Sequence, residues 1–101
     1  MSYPESIKFL HLRRLTIDGK INGRGGETIA YRASPSGVEF ASAYCSANDN
    51  YNKAYGRAKT VGRLASDRFR GFVAGMTADD FRAATLRDYY GPLEAEAAVN
   101  E

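Results

Sequence analysis

A chain of 101 residues, 44% hydrophobic and 26% charged with a net charge of +2, is sized for a single domain with a modest core. No apolar run approaches the ~20 residues that cross a bilayer. Glu5 comes early and Arg13 and Arg14 come late, against the order of a signal peptide. One cysteine cannot close an internal disulfide, so the expectation is a cytoplasmic protein.

The charge is uneven. Glu94, Glu96 and Glu101 lie in the last eight residues, and without them fourteen basic residues face nine acidic ones, a body of +5. Residues 1–93 are therefore read as one domain and 94–101 as a frayed acidic tail. Lys53, Arg57, Lys59, Arg63, Arg68 and Arg70 stand against Asp67 alone, which suggests an anionic partner, although a solvated charged face has the same composition.

In chain order, IKFLHLRRLTI (7–17) has strand composition, with an alternation that changes phase between Phe9 and Leu10; a bulge or two buried faces would explain that. Asp18-Gly19 is a turn signal, and GRGG (23–26) opens the backbone. ETIAYRA and VEFASAYC flank Ser34-Pro35-Ser36-Gly37, which has the proline and glycine placement of a type I turn. They predict a hairpin with Ile29, Tyr31 and Ala33 on one face and Val38, Phe40 and Tyr44 on the corresponding face of its partner.

A first helix is predicted from about Ser46, where Ser46 and Asp49 have capping-box spacing. At 100° per residue Tyr51, Ala54, Tyr55, Ala58, Val61, Gly62, Ala65 and Phe69 share an arc, the expected core stripe. A second box, Thr77 to Asp80, starts a helix that Gly91-Pro92 ends. The fold class expected is α+β: an antiparallel sheet of three to five strands followed by two helices packed on one face.

On this wheel Gly62 falls on the apolar arc, where close packing would explain it. Gly56 falls opposite, beside Thr60, with Lys53 and Arg57 along one edge and Lys59 and Arg63 along the other. A glycine inside a helix costs ~1 kcal/mol relative to alanine. On a polar face that loss suggests something approaching the backbone: a phosphate, a nucleotide or a second protein.

Other constellations are thinner. GRGG could cradle phosphate through its amides, with Arg24 as an added anion contact, or be an ordinary turn. It matches neither a Walker motif nor a dinucleotide fingerprint. His11, mid-strand, and Cys45, ending a strand, read as structural residues. Tyr51 and Tyr55 suit core packing, though a tyrosine at a helix edge can stack on a base. No metal-ligand cluster and no acid, base and nucleophile set is visible, so neither cofactor nor catalysis is expected.

The run CSANDNYNKAYGRAKTVGRL, Cys45 to Leu64, is similar to a pattern of small phage proteins of the first Thoeris anti-defence type. There Cys-Ser leads into an acid, an aromatic, a lysine and two Gly-Arg pairs six residues apart. The matching positions are Cys45, Ser46, Asp49, Tyr51, Lys53, Gly56, Arg57, Gly62, Arg63 and Leu64. Tyr51 stands where phenylalanine is expected, and Ala47-Asn48 replace a proline and a lysine.

The resemblance implies a sponge that binds cyclic ADP-ribose isomers, in some members cyclic oligonucleotides, and sequesters them intact. It also implies a homo-oligomer with pockets shared between subunits. Arg57 and Arg63 would be the first phosphate ligands and Lys53 and Arg24 the next, with Tyr51, Gly56 and Thr60 completing the site. The alternative is a nucleic-acid binder or an anti-CRISPR-like inhibitor using the same basic helix face, or one that docks by protein contact alone.

Overall fold

In the computed structural model, which describes residues 6–66 and 70–91, four antiparallel strands lie in the order β1-β2-β3-β4. They are β1 (Lys8–Leu12), β2 (Arg24–Ser34), β3 (Gly37–Asn50) and β4 (Gly71–Ala74). Helix α1 (Lys53–Leu64) lies between β3 and β4, and α2 (Ala78–Tyr90) follows β4. The α+β class and the antiparallel sheet are those expected from the sequence. The acidic tail, and Asp67, Arg68 and Phe69, lie outside the described residues.

The phase change in β1 reflects two buried faces. Register pairs Phe9 with Ala30 and Leu10 with Ile29, so these neighbours point to opposite sides of the sheet. Leu10, Leu12, Ile29, Tyr31 and Val38 form one core with Phe81 and Leu86 of α2. Ala30 and Ala41 form a second with Leu64 of α1, against which Ile7 and Phe9 pack. The two helices therefore cover opposite faces, not one. The expectation failed because a sheet with two apolar faces needs a cover on each.

The hairpin between β2 and β3 turns at Pro35-Ser36 and pairs Tyr31 with Phe40 and Ala33 with Val38, the faces expected. The Asp18-Gly19 turn is also present, with Gly19 at φ +83° and an isolated bridge between Leu15 and Ile21. β4, short and at the sheet's edge, carries too few residues to stand out in the sequence.

Thr77 caps α2 as predicted, its hydroxyl accepting from the Asp80 amide at 3.1 Å, and Gly91 ends the helix at φ +88°. The start of α1 differs. β3 continues through Ser46 and Asp49 to Asn50, and Asn52 is the cap, accepting from the Tyr55 amide at 2.9 Å.

The buried side of α1 is the reverse of the predicted stripe. Gly56, Thr60 and Leu64 face the sheet, whereas Ala54, Tyr55, Ala58, Gly62 and Ala65 are exposed. The sheet beneath presents Thr28, Ala30, Ala41 and Ala43, a shallow surface that a helix can approach only through small residues. A Cβ on Gly56 would lie 2.9 Å from that of Thr28 and closer still to its hydroxyl; one on Gly62 would meet nothing within 4 Å. Gly56 is thus no exposed floor. It is the glycine with a packing reason, and Gly62 is the one without.

A cleft beside α1 and a polar cluster beneath it

β4 pairs only with Gly37–Phe40, so the outer edge of β3 beyond Phe40 carries no strand among the described residues. Between that free length of β3 and the first turns of α1 lies a cleft of ≈ 560 Å³. Its volume is within the range of small-molecule pockets. Tyr55, 65% exposed, lines it from the helix, and Tyr44 borders it from β3, although its register with Glu27 turns its side chain toward the other face of the sheet. Lys59 supplies a cation, Asp49 an acid, and Asn50 and Asn52 amides.

Tyr51 ties the cleft to the protein interior. Its ring packs on Gly26, whose φ of +128° belongs to the bulge where β2–β3 register shifts between Arg24 and Gly26. Its hydroxyl lies 3.0 Å from His11 Nδ1, 2.6 Å from Thr28 Oγ1 and 3.1 Å from the Glu27 carbonyl. The Arg13 guanidinium stacks over the ring, 4.5 Å from its centroid. GRGG is therefore a bulge that admits an aromatic ring.

On the other side of this knot, Arg57 Nη1 lies 3.3 Å from His11 Nε2. A guanidinium only donates, so Nε2 accepts; the proton of neutral His11 is then on Nδ1 and is donated to Tyr51. Burial, followed by the charges of Lys53, Arg57 and Arg13, lowers the His11 pKa to about 4. The imidazole is neutral at physiological pH.

The candidate residues separate accordingly. Tyr51 and Gly56 line the cleft. Arg24 pairs in register with Asn50, which places it at one end of the cleft. Lys53 and Arg57 gather around His11. Arg63 donates to the Ser42 carbonyl at 2.7 Å, satisfying an acceptor on β3. Thr60 is fully buried, and its hydroxyl bonds back to the Gly56 and Arg57 carbonyls at 2.9 and 3.1 Å. It has no access to a ligand. The motif from Cys45 to Leu64 thus largely describes how α1 docks on the sheet.

No protein-family model, curated protein or solved structure matches the chain.

Sequence reasoning missed Tyr44, Asn50 and Asn52 as cleft residues; Lys59 it places beside Gly56 on the face open to an anion. Assigning 46–52 to a helix hid the free edge of β3, and rotating α1 placed Tyr55 in the core. The Asn52-to-Tyr55 cap was the signal available.

Proposed function

We propose that this protein binds a small anionic nucleotide in the cleft between β3 and α1 and holds it without chemical change. The observation that carries this reading is a cleft of ≈ 560 Å³ in which exposed Tyr55 and Lys59 of α1 stand beside Asn50 and Asn52. Exposed Tyr55 offers a face on which a purine stacks, amide side chains suit ribose hydroxyls, and a cation suits phosphate. The similarity of Cys45–Leu64 to anti-Thoeris sponges supports a cyclic ADP-ribose isomer as the ligand and counter-defence in a phage-infected cell as the role.

The exposed arc of Ala54, Tyr55, Ala58, Gly62 and Ala65 supports a homo-oligomer, since small residues on an uncovered helix let a second copy approach closely. Tyr55 belongs to both the arc and the cleft, so a second subunit there would border the ligand.

Binding to polymer and to small ligand differ in salt dependence. A nucleic-acid binder loses affinity with a log–log slope near −0.9 per phosphate neutralised, and a shaped pocket for one pyrophosphate shows a shallower slope. Titrating duplex DNA, single-stranded RNA and cyclic ADP-ribose isomers at two salt concentrations separates them. Tight, salt-steep binding to the polymers with no response to the cyclic nucleotides would replace this reading with the nucleic-acid one.

A further inference from the structure

Four basic or titratable side chains meet where β1 passes the first turns of α1. His11 and Arg13 come from β1, and Lys53 and Arg57 from α1. From β2, Thr28 reaches His11 Nδ1 at 3.4 Å, and from the β3–α1 connection Tyr51 reaches it at 3.0 Å. Glu27 contributes only its carbonyl, to Tyr51, because its side chain points to the opposite face of the sheet. Among the described residues, neither Lys53 nor Arg57 has a carboxylate within ion-pair distance; the ion pairs there join Arg32 and Arg70 to Glu39.

For Lys53 and Arg57 this arrangement is unfavourable without a counter-charge. Like charges gathered around a half-buried imidazole repel, and the only acceptor offered to Arg57 there is the His11 Nε2 lone pair. A phosphate oxygen entering the notch would supply the missing charge and a better acceptor. It would also make protonation of Nε2 favourable. His11 would gain a proton from solvent, and its Nε2–H and the Arg57 Nη1–H, which now have no acceptor in each other, would both donate to that oxygen.

We propose that the notch formed by His11, Lys53 and Arg57 is a phosphate subsite in which His11 gains a proton as the anion binds. It rests on the phosphate-bearing ligand proposed above and adds the place and the proton linkage. Tyr51, which lines the cleft and bonds to His11, joins the two halves of the site.

His11 is the only histidine in the chain, so its ring resonances report its titration without ambiguity. Sulfate, which stays fully ionised across the range, is the first probe, and ADP-ribose, a pyrophosphate diester, is the second. The expected result is a His11 pKa near 4 in the free protein, raised by at least about one unit in saturating sulfate or ADP-ribose. Affinity should rise as pH falls through the raised pKa of the complex, by at most tenfold per unit, and level off below the free value of about 4. Arg57→Gln should remove the shift, and His11→Gln should bind with no pH dependence. A His11 titration unmoved by either probe overturns the subsite. If ADP-ribose binding is lost in Tyr55→Ala but unchanged in Arg57→Gln, the cleft stands and the notch falls. If neither probe binds the wild-type protein, both fall.

Discussion

Gly56 lies directly against Thr28: a methyl group on residue 56 would overlap the threonine hydroxyl, which itself bonds to Tyr51 at 2.6 Å. The contact sets how closely α1 approaches the sheet, and through Tyr51 it reaches both the cleft and the His11 cluster. Gly56→Ala should therefore destabilise the fold by roughly 1–3 kcal/mol through overpacking. Gly62→Ala, on the open side of the same helix, should stabilise it by up to ~1 kcal/mol. Denaturant unfolding of the two variants checks the pair; the opposite order of stabilities would mean that α1 is rotated.

β1, β2 and β3 as far as Cys45 were legible because alternation and turn chemistry agree with the final structure, as at Pro35-Ser36 and Asp18-Gly19; β4 and the last five residues of β3 were not. The α2 cap at Thr77 was legible for the same reason. The orientation of α1 was not. Its apolar arc is made of alanine, glycine and tyrosine, and its buried face of glycine, threonine and leucine, so hydrophobicity alone favours the wrong side. What decides the orientation is the shallow alanine and threonine surface of β2 and β3, which is known only once the strands are paired. The cleft was hidden because the free end of β3 reads as helix and Tyr55 as core, although Gly56 and Lys59 fall on the ligand-facing side.

Stability should fall on mild acidification because of His11. Its pKa is about 4 in the folded protein against 6.5 for the free side chain, so the unfolded chain binds more protons between those values. The contribution is fully present above pH 6.5 and is lost as pH falls toward 4. For a half-buried group, solvent screening brings this to about 1–2 kcal/mol. His11→Gln should flatten that part of the stability–pH curve; a variant with the wild-type slope would place the acid sensitivity elsewhere.

Arg57 and Arg63, about one and two-thirds turns apart on α1, should behave differently. Arg63 is committed to the Ser42 carbonyl, so Arg63→Ala should lower stability by about 1–2 kcal/mol. Arg57 holds only an imidazole at 3.3 Å. Arg57→Ala should leave thermal unfolding nearly unchanged while weakening nucleotide binding about tenfold or more. Calorimetric titration alongside thermal melts distinguishes them, and equal effects in both assays would remove the division of roles.

Burial raises the Glu27 pKa, with a hydrogen bond from Ser42 acting in the other direction. Its carboxylate is therefore held in place at a cost, and Glu27→Gln, which keeps an acceptor for Ser42, should increase stability at neutral pH. The gain should shrink as pH falls through the raised value, where Glu27 is neutral as well. Urea midpoints at neutral and acidic pH give the comparison; a loss of stability at neutral pH would show that the charge itself is needed.

The most direct test of sequestration is a capture-and-release measurement with a cyclic ADP-ribose isomer. Wild-type protein and Tyr55→Ala are each incubated with the isomer, separated from free ligand, heat-denatured, and the released material analysed by chromatography and mass spectrometry. Stacking contributes roughly 1–3 kcal/mol per base, so the variant should bind about five- to 150-fold more weakly. The account predicts stoichiometric capture by the wild type, recovery of the isomer at its original mass, and little capture by the variant. Equal capture by both proteins, or release of linear ADP-ribose, would contradict it.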